Sequence, residues 1–182
     1  MPRYFAFLRA INVGGRVVKM DRLRKIFESL GFSNVETFIA SGNVIFDSPS
    51  KNAAALEAKI EKELQRVLGY EVSTFIRTGD ELIDIANYEA FPQSDLAKAR
   101  SFNVVFLGKT LDKEAEAGLL ALRTEIDDLH LHGREIYWLC RKKQSESMIS
   151  NVVFSKAVGL PATVRGVRTV KNMTGKYARS KR

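Results

Sequence analysis

The chain has 182 residues, 45% hydrophobic and 27% charged, which is the composition of a globular protein able to bury a sizeable core. No apolar run approaches the roughly 20 residues that cross a bilayer, and the N-terminus leads into a strand pattern rather than a signal peptide. The single cysteine, Cys140, excludes an internal disulfide, so we expect a cytoplasmic protein.

The net charge of +8 is unevenly distributed. Residues 1–92 carry 12 basic and 12 acidic side chains, whereas residues 93–182 carry 17 and 9, so the whole excess belongs to the second half. Near the C-terminus, basic residues follow one another without an acidic residue between them. Such a block predicts either a surface that attracts phosphates or a solvated terminus.

The first half alternates between strand and helix periodicity. The patterns predict a strand over 4–8, a helix from Met20 to Gly31, strands over 35–40 and 44–46, a helix between Ser50 and Gly69, a strand over 70–77, and a helix opened by Thr78-Gly79-Asp80-Glu81 with capping-box spacing.

The same order then begins again. The patterns predict a strand over 102–107, a helix opened by Thr110 or Asp112 with its apolar stripe reaching Ile126, a hairpin over 129–132 and 135–140, a helix over 145–158, a strand over 162–165 and a last helix. We therefore predict an α+β fold of two tandem ferredoxin-like (βαββαβ) half-domains, each followed by a helix, over residues 1–92 and 99–182.

This topology predicts a binding edge. In a split βαβ unit, the exit of the first strand and the turn from the second strand to the third lie at the same edge. Backbone N–H groups at a glycine-bearing helix entrance can bind an anion. Alternatively, the glycines only allow positive φ in a connection. The predicted ligand-binding residues are Arg9, Asn12, Gly14, Gly15, Lys19, Ser41, Gly42 and Asn43.

Other familiar chemistry is not indicated. The spacings of a P-loop and of a Rossmann fingerprint are absent, and no residue is identified as a nucleophile or base. His130 and His132 share one face of a strand, and Cys140 falls on the other, so we expect no metal site and no cofactor. Whether the chain is an enzyme is left open by the sequence.

Three functions follow as hypotheses. The first is binding of a small anionic or nucleotide-like ligand at the predicted edge. The second is nucleic-acid binding. The third is a protein-interaction module, with the oligomeric state left open and no membrane partner expected. For the second hypothesis, the predicted contact residues are Arg165, Arg168, Lys171, Lys176 and Arg179.

Two stretches carry a resemblance to a known family. The segment 7–15, followed by Lys19-Met20 and Leu23-Arg24, and the segment 31–46 resemble bacterial proteins of domain-of-unknown-function family 1697. The resemblance implies a cytoplasmic bacterial α+β protein with two ferredoxin-like halves, without an established activity. It also implies that the predicted residues of the edge other than Lys19 belong together. The chain departs from the family pattern at Gly166-Val167, where an Asn-Trp pair is expected.

Overall fold

The computed structural model describes residues 1–178, which form an α+β fold with two four-stranded antiparallel sheets and seven α-helices. In chain order these residues form β1 (Arg3–Leu8), α1 (Met20–Ser29), β2 (Ser33–Thr37), β3 (Asn43–Asp47), α2 (Ala53–Leu68), β4 (Thr74–Thr78), α3 (Gly79–Asn87), α4 (Gln93–Leu96), β5 (Ser101–Leu107), α5 (Lys113–Leu120), β6 (Asp127–His132), β7 (Glu135–Cys140), α6 (Asn151–Val158), β8 (Ala162–Gly166) and α7 (Val167–Tyr177), with a 3₁₀ turn at Gln144–Glu146. None of the described helices is both long and apolar enough to cross a membrane.

The contacts divide the chain into two compact units. The first contains Met1–Asp84 together with the described chain from Asn172 on, and the second contains Ile85–Lys171. The division into halves over 1–92 and 99–182 rests on the repeated order of elements and stays a prediction.

The first unit is built on a sheet with the order β2-β3-β1-β4. Because side chains alternate along a strand, Tyr4, Ala6 and Leu8 face the same side, where they pack with apolar residues of α1 and α2. Phe27 on α1 and Ile60 on α2 are fully buried there. Burial of each such large side chain contributes about 1.5–3 kcal/mol relative to exposure.

The second unit has the equivalent order β6-β7-β5-β8. Its core packs Val105, Leu107 and Trp138 from the sheet against Leu119 of α5 and Phe154 of α6. The hairpin predicted over 129–132 and 135–140 is present as β6 and β7, in which His132 pairs with Glu135 and His130 with Tyr137.

The registers of the two sheets can be matched position by position. Phe5 on β1 lies opposite Arg77 on β4, and Val104 on β5 lies opposite Arg165 on β8. Arg77 and Arg165 are both buried, and each donates from Nη1 to the carbonyl of the preceding residue over 2.9 Å. With this match, Tyr4 and Asn103 occupy equivalent positions.

Two helices differ from their predicted bounds because short polar turns compete with helix. The helix predicted over 145–158 begins only at Asn151, with the Ser150 hydroxyl accepting from the backbone N–H of Val153. The helix opened by Asp112 ends at Leu120 and does not reach Ile126. The hydroxyl of Thr124 accepts from the N–H groups of Ile126 and Asp127, which forms a turn instead.

The edge strand β4 is covered by carboxylates from α2. The backbone N–H of Thr74 donates to Glu61 Oε1 and that of Ile76 donates to Glu57 Oε1, each over 2.8 Å. Exposed N–H groups at a sheet edge are a template for pairing with another chain. These two carboxylates accept hydrogen bonds from N–H groups of β4 that could otherwise pair with another chain.

Acid should remove one stabilising contact of the first sheet. Asp47 accepts from Arg3 Nε over 2.9 Å and from Asn34 Nδ2 over 2.8 Å. Desolvation raises the pKa of Asp47, but these hydrogen bonds and the attraction to Arg3 outweigh it, so the pKa lies below its ordinary value. A lowered folded-state pKa gives stability that is present above the unfolded-state pKa near 4 and is lost as pH falls through the folded-state value.

We therefore expect Asp47→Asn to lower Tm by about 2–4 °C at pH 7, a modest effect because the Arg3 side chain is 37% exposed and solvent screens the pair. The difference from wild type should narrow between pH 5 and pH 2, and melting curves by circular dichroism would measure it. Asp21→Asn is the control, because Asp21 pairs with Arg24 at an exposed position. A difference that stays constant down to pH 2 would contradict the assigned role of the ionised carboxylate.

Candidate functional site

The loop after β1 and the turn between β2 and β3 lie side by side in the first unit. The backbone N–H of Leu8 donates to the carbonyl of Gly42 over 2.8 Å, and Asn12 Nδ2 donates to the carbonyl of Ala40 over 2.9 Å. The prediction that these segments are neighbours is thus confirmed. We call the two segments, residues 9–19 and 38–43, the loop edge.

Left-handed backbone is concentrated in the loop edge. Of the four non-glycine residues with positive φ in the described part of the chain, three lie there: Ala10 at 59°, Asn12 at 57° and Ile39 at 50°. The left-handed region costs an L-residue about 1–2 kcal/mol, and for a β-branched side chain such as Ile39 it is an outlier. The loop edge therefore stores local strain that its hydrogen bonds must offset.

The side-chain amides of Asn12 and Asn43 are directed to the protein. Asn12 Oδ1 accepts from the backbone N–H of Val18 over 2.7 Å, while its Nδ2 holds the neighbouring turn. The buried Asn43 donates from Nδ2 to the carbonyl of Phe38 over 2.9 Å and to Ser41 Oγ over 2.8 Å. These contacts give both residues a role in shaping the two turns.

Gly14 and Gly15 form a tight turn. Their φ angles are 62° and 80°, and the backbone N–H of Arg16 donates to the carbonyl of Val13 over 3.2 Å. A Cβ at either glycine would meet nothing within 4 Å. Both glycines are therefore required by the backbone conformation and not by crowding, and the surface over them is open.

Gly42 is constrained both by its backbone conformation and by crowding. Its φ is 78°, and a Cβ there would lie 3.1 Å from the Cβ atoms of Leu8 and Ile11 and 3.2 Å from the carbonyl oxygen of Leu8. A side chain at Gly42 would therefore require the end of β1 and the loop after it to shift by a few tenths of an ångström.

The loop edge carries three cations and no acidic residue. Arg9 is half-buried and its backbone N–H donates to the carbonyl of Ser73, while Lys19 is exposed immediately before α1. Arg16 places its guanidinium carbon 4.2 Å from the ring centroid of Tyr70, a cation–π contact that holds the side chain over an aromatic face.

Exposed apolar side chains accompany these cations. Val13 is 62% exposed, Val17 is 80% exposed and Ile39 is 54% exposed. The hydrogen bond from Asn12 to Ala40 joins the sequence neighbours of Val13 and Ile39. The loop edge therefore carries exposed apolar side chains on both of its segments, in addition to its positive charges.

The predicted basic residues of the second half have different environments. Arg165 is 8% exposed and donates from Nη1 to Thr163 Oγ1 over 2.9 Å, and burial lowers the pKa of its guanidinium to about 10. Its place in a basic surface is therefore corrected, because the side chain is inside the protein. Arg168, Lys171 and Lys176 are exposed on α7. Arg179 lies outside the described residues.

The two histidines take part in aromatic packing. Tyr88 Oη lies 2.8 Å from His130 Nε2, and the rings of Tyr88 and His132 stack with centroids 3.9 Å apart. Residues 1–178 contain no group of three or more His, Cys, Asp or Glu side chains that could hold a metal ion. Cys140 is buried, and desolvation raises the pKa of its thiol.

Several features of the loop edge were not identified from the sequence. The left-handed conformations of Ala10 and Ile39 have no sequence signal, since alanine and isoleucine favour helix and strand. The stacking of Arg16 on Tyr70 joins residues 54 positions apart and needs the fold. Exposure of Val13 and Val17 could have been anticipated, because both flank a glycine turn outside any periodic element.

Comparisons with known proteins are consistent with this architecture. The family model described as "Protein of unknown function (DUF1697)" matches residues 1–137. Among solved structures, the chain is similar to the conserved bacterial protein SP0830 from Streptococcus pneumoniae, with 23% identity, a TM-score of 0.75, and coverage of 98% of this chain and 99% of that chain. At this identity the likeness shows the fold alone. No curated protein matches the chain.

Proposed function

Because the chain belongs to the DUF1697 family, whose description assigns no activity, we propose from the loop edge that it binds a small ligand carrying both a negative charge and an apolar group, as a nucleotide does. The proposal locates the ligand against residues 9–19 and 38–43 of the first unit.

The observation that carries the proposal is the concentration of backbone strain. Ala10, Asn12 and Ile39 hold sparsely populated conformations within two adjacent turns. Such residues persist only where the surrounding structure imposes them, and they cluster at ligand sites and switch regions. Here the amides of Asn12 and Asn43 donate to the carbonyls of Ala40 and Phe38, the residues on either side of Ile39, which gives these two amides a positioning role in the proposed site.

Charge and exposure indicate the kind of ligand. Arg9, Arg16 and Lys19 supply positive charge without a neighbouring carboxylate in the same loop. Arg16 also offers a planar surface because it already lies over Tyr70. Exposed Val13 and Ile39 would cover an apolar or aromatic part of the ligand, while open backbone at Gly14 and Gly15 permits close approach of an anion.

The test compares AMP, adenosine and inorganic phosphate by isothermal titration calorimetry. We expect AMP to bind more tightly than either fragment, because it has both the charge and the apolar group. The triple variant Arg9→Ala/Arg16→Ala/Lys19→Ala should weaken AMP binding by about 10- to 100-fold, corresponding to one or two lost charge-assisted contacts.

Lys25→Ala is the matched control, since Lys25 is an exposed cation on α1 outside the loop edge. It should bind AMP as wild type does. Equal affinity of wild type and the triple variant, or no binding of any of the three compounds, would remove the proposal.

A second candidate function, nucleic-acid binding, is favoured by the composition of α7. Arg168, Lys171 and Lys176 are exposed, and the helix contains no acidic residue. If these side chains contact three phosphates, the affinity of the protein for nucleic acid should fall as the salt concentration rises, because counterions are released on binding.

For this candidate we expect wild type to bind a mixed-sequence duplex, and Arg168→Ala/Lys171→Ala/Lys176→Ala to lower the slope of log K against log salt by about 3. Fluorescence anisotropy between 50 and 200 mM salt measures both slopes. Lys113→Ala/Lys156→Ala, which changes exposed lysines of α5 and α6, serves as the control. Identical slopes for all three proteins would exclude α7 as the binding surface.

We also infer that the two sheets are tandem ferredoxin-like units. The orders β2-β3-β1-β4 and β6-β7-β5-β8 are equivalent, and each agrees with a split βαβ unit in which the third strand lies between the first two. The matched positions of Arg77 and Arg165 support a duplication whose halves have since diverged.

A further inference from the structure

The second unit contains a cavity of about 630 Å³ between its sheet and the segment that leads into α6. This volume is in the range typical of small-molecule sites. All the residues that line it belong to the second unit, and none of them belongs to the loop edge.

One side chain of the lining is buried without being satisfied. Asn103 lies in β5 among Val104, Val105 and Phe106, and it is 6% exposed. Its Nδ2 has no hydrogen-bond partner among the described residues. Buried amide groups are rarely left in this state, because an unmade hydrogen bond at a desolvated donor is unfavourable.

In the first unit, the residue at the equivalent position has its polar group satisfied within the protein. There the equivalent residue is Tyr4, which is 2% exposed, packs beside Phe46 and donates from Oη to the carbonyl of Ser50 over 2.6 Å. In the second unit a shorter amide replaces the phenol ring. A polar cavity lies beside that amide.

The lining restricts the chemistry of an occupant. Trp138, Ile149 and Val164 supply apolar surface, while the remaining groups are amides, hydroxyls and a glycine. No Lys, Arg, Asp or Glu is among the lining residues in the described chain. A charged ligand would lose hydration without gaining a counter-charge, whereas amides and hydroxyls both donate and accept.

We propose that this cavity is a binding site for a small uncharged heterocycle whose edge presents a hydrogen-bond acceptor beside a donor, with the Asn103 amide recognising that edge. A nucleobase and an aromatic carboxamide share this chemistry. The flat body of either occupies the space beside the apolar residues, and its acceptor meets the Nδ2 donor that the protein leaves unpaired.

Two substitutions probe the site differently. Asn103→Leu removes the amide at similar size and leaves no buried donor unpaired. Gly166→Leu fills the cavity from the opposite strand: Gly166 does not need positive φ, and a Cβ there would meet only Thr169 Oγ1 at 3.9 Å and Asn103 Oδ1 at 4.0 Å, which are ordinary contacts. Asn87→Leu, at an exposed position of the second unit, is the matched control.

The experiment titrates the full chain with adenine, nicotinamide and inorganic phosphate, followed by amide chemical shifts in NMR, and records Tm for every protein. We expect one of the two heterocycles to bind and to shift resonances of residues 144–151, and phosphate not to. Asn103→Leu and Gly166→Leu should each weaken that binding at least 10-fold, whereas Asn87→Leu should not change it.

The Tm of Asn103→Leu decides between a ligand role and a structural one. An amide kept for a ligand predicts a Tm equal to or above that of wild type, while an amide that stabilises the fold predicts a lower Tm. The proposal is overturned if neither heterocycle binds wild type, if phosphate alone binds, or if both variants bind as wild type does. Should Asn103→Leu fail to fold, that outcome also counts against it, and Gly166→Leu still tests occupancy of the cavity.

Discussion

Gly42→Ala should destabilise the first unit far more than the same change at Gly14, although both glycines have positive φ. At Gly14, whose φ is 62°, the added methyl meets open space. The expected loss in the free energy of unfolding is therefore only the cost of holding alanine in the left-handed conformation, about 1–2 kcal/mol. At Gly42 the methyl would lie 3.1 Å from two side-chain carbons in addition. Overpacking adds about 1–3 kcal/mol, so we expect a total of about 2–5 kcal/mol.

Urea titration followed by far-ultraviolet circular dichroism measures both variants. The only tryptophan, Trp138, lies in the second unit, so its fluorescence provides an internal control that should respond less to either substitution. Equal losses for the two variants would mean that the loop after β1 moves away at little cost. In that case the close approach of the two turns would not be a constraint on the loop edge.

Much of the fold could be predicted because local chemistry and tertiary packing agree. Gly69 ends α2 in the left-handed conformation at the predicted position, and Gly159 ends α6 in the same way, directly after the predicted helix over 145–158. The capping box predicted at Thr78 and Glu81 is present, with the side chain of each accepting from the backbone N–H of the other. At these positions a residue and its near neighbours decide the structure.

The prediction was wrong where distant hydrogen bonds override propensity. The second strand was expected to continue to Ala40, because Phe38 and Ile39 favour strands. It ends at Thr37 instead, and Ile39 adopts positive φ. Asn12 donates to the carbonyl of Ala40 from 28 positions away, and Phe38 pairs across the turn with Asn43. Such contacts exist only once β1 and β3 are paired.

The location of the candidate site could be predicted from the sequence, but the roles of its residues could not. The order of elements was enough to bring Asn12 and Ser41 to one edge, because it dictates which strands are neighbours. It could not show that the amides of Asn12 and Asn43 are used within the protein. Asn103 carried a sequence signal that was not used: a lone amide in the otherwise apolar strand over 102–107.

Asp127→Ala should strongly destabilise the second unit. Asp127 is 1% exposed and its carboxylate accepts from Trp138 Nε1 and from Ser147 Oγ, each over 2.8 Å. Removing the carboxylate leaves the indole N–H in the core without an acceptor and frees the segment that Ser147 holds. Unsatisfied buried donors cost about 1–3 kcal/mol each, so we expect a loss of about 2–5 kcal/mol in the free energy of unfolding.

Two further variants distinguish the loss of the Asp127 carboxylate from the loss of side-chain volume at this position. Asp127→Asn keeps one acceptor and should lose about half as much, and Trp138→Phe removes the donor without leaving it unpaired. Because the two residues are in contact, Asp127→Ala in the Trp138→Phe background should cost at least about 1 kcal/mol less than in wild type. Urea denaturation followed by circular dichroism measures all four proteins, since the tryptophan is absent from two of them. Additive losses would mean that Asp127 acts on Ser147 and the wall of the cavity rather than through the indole.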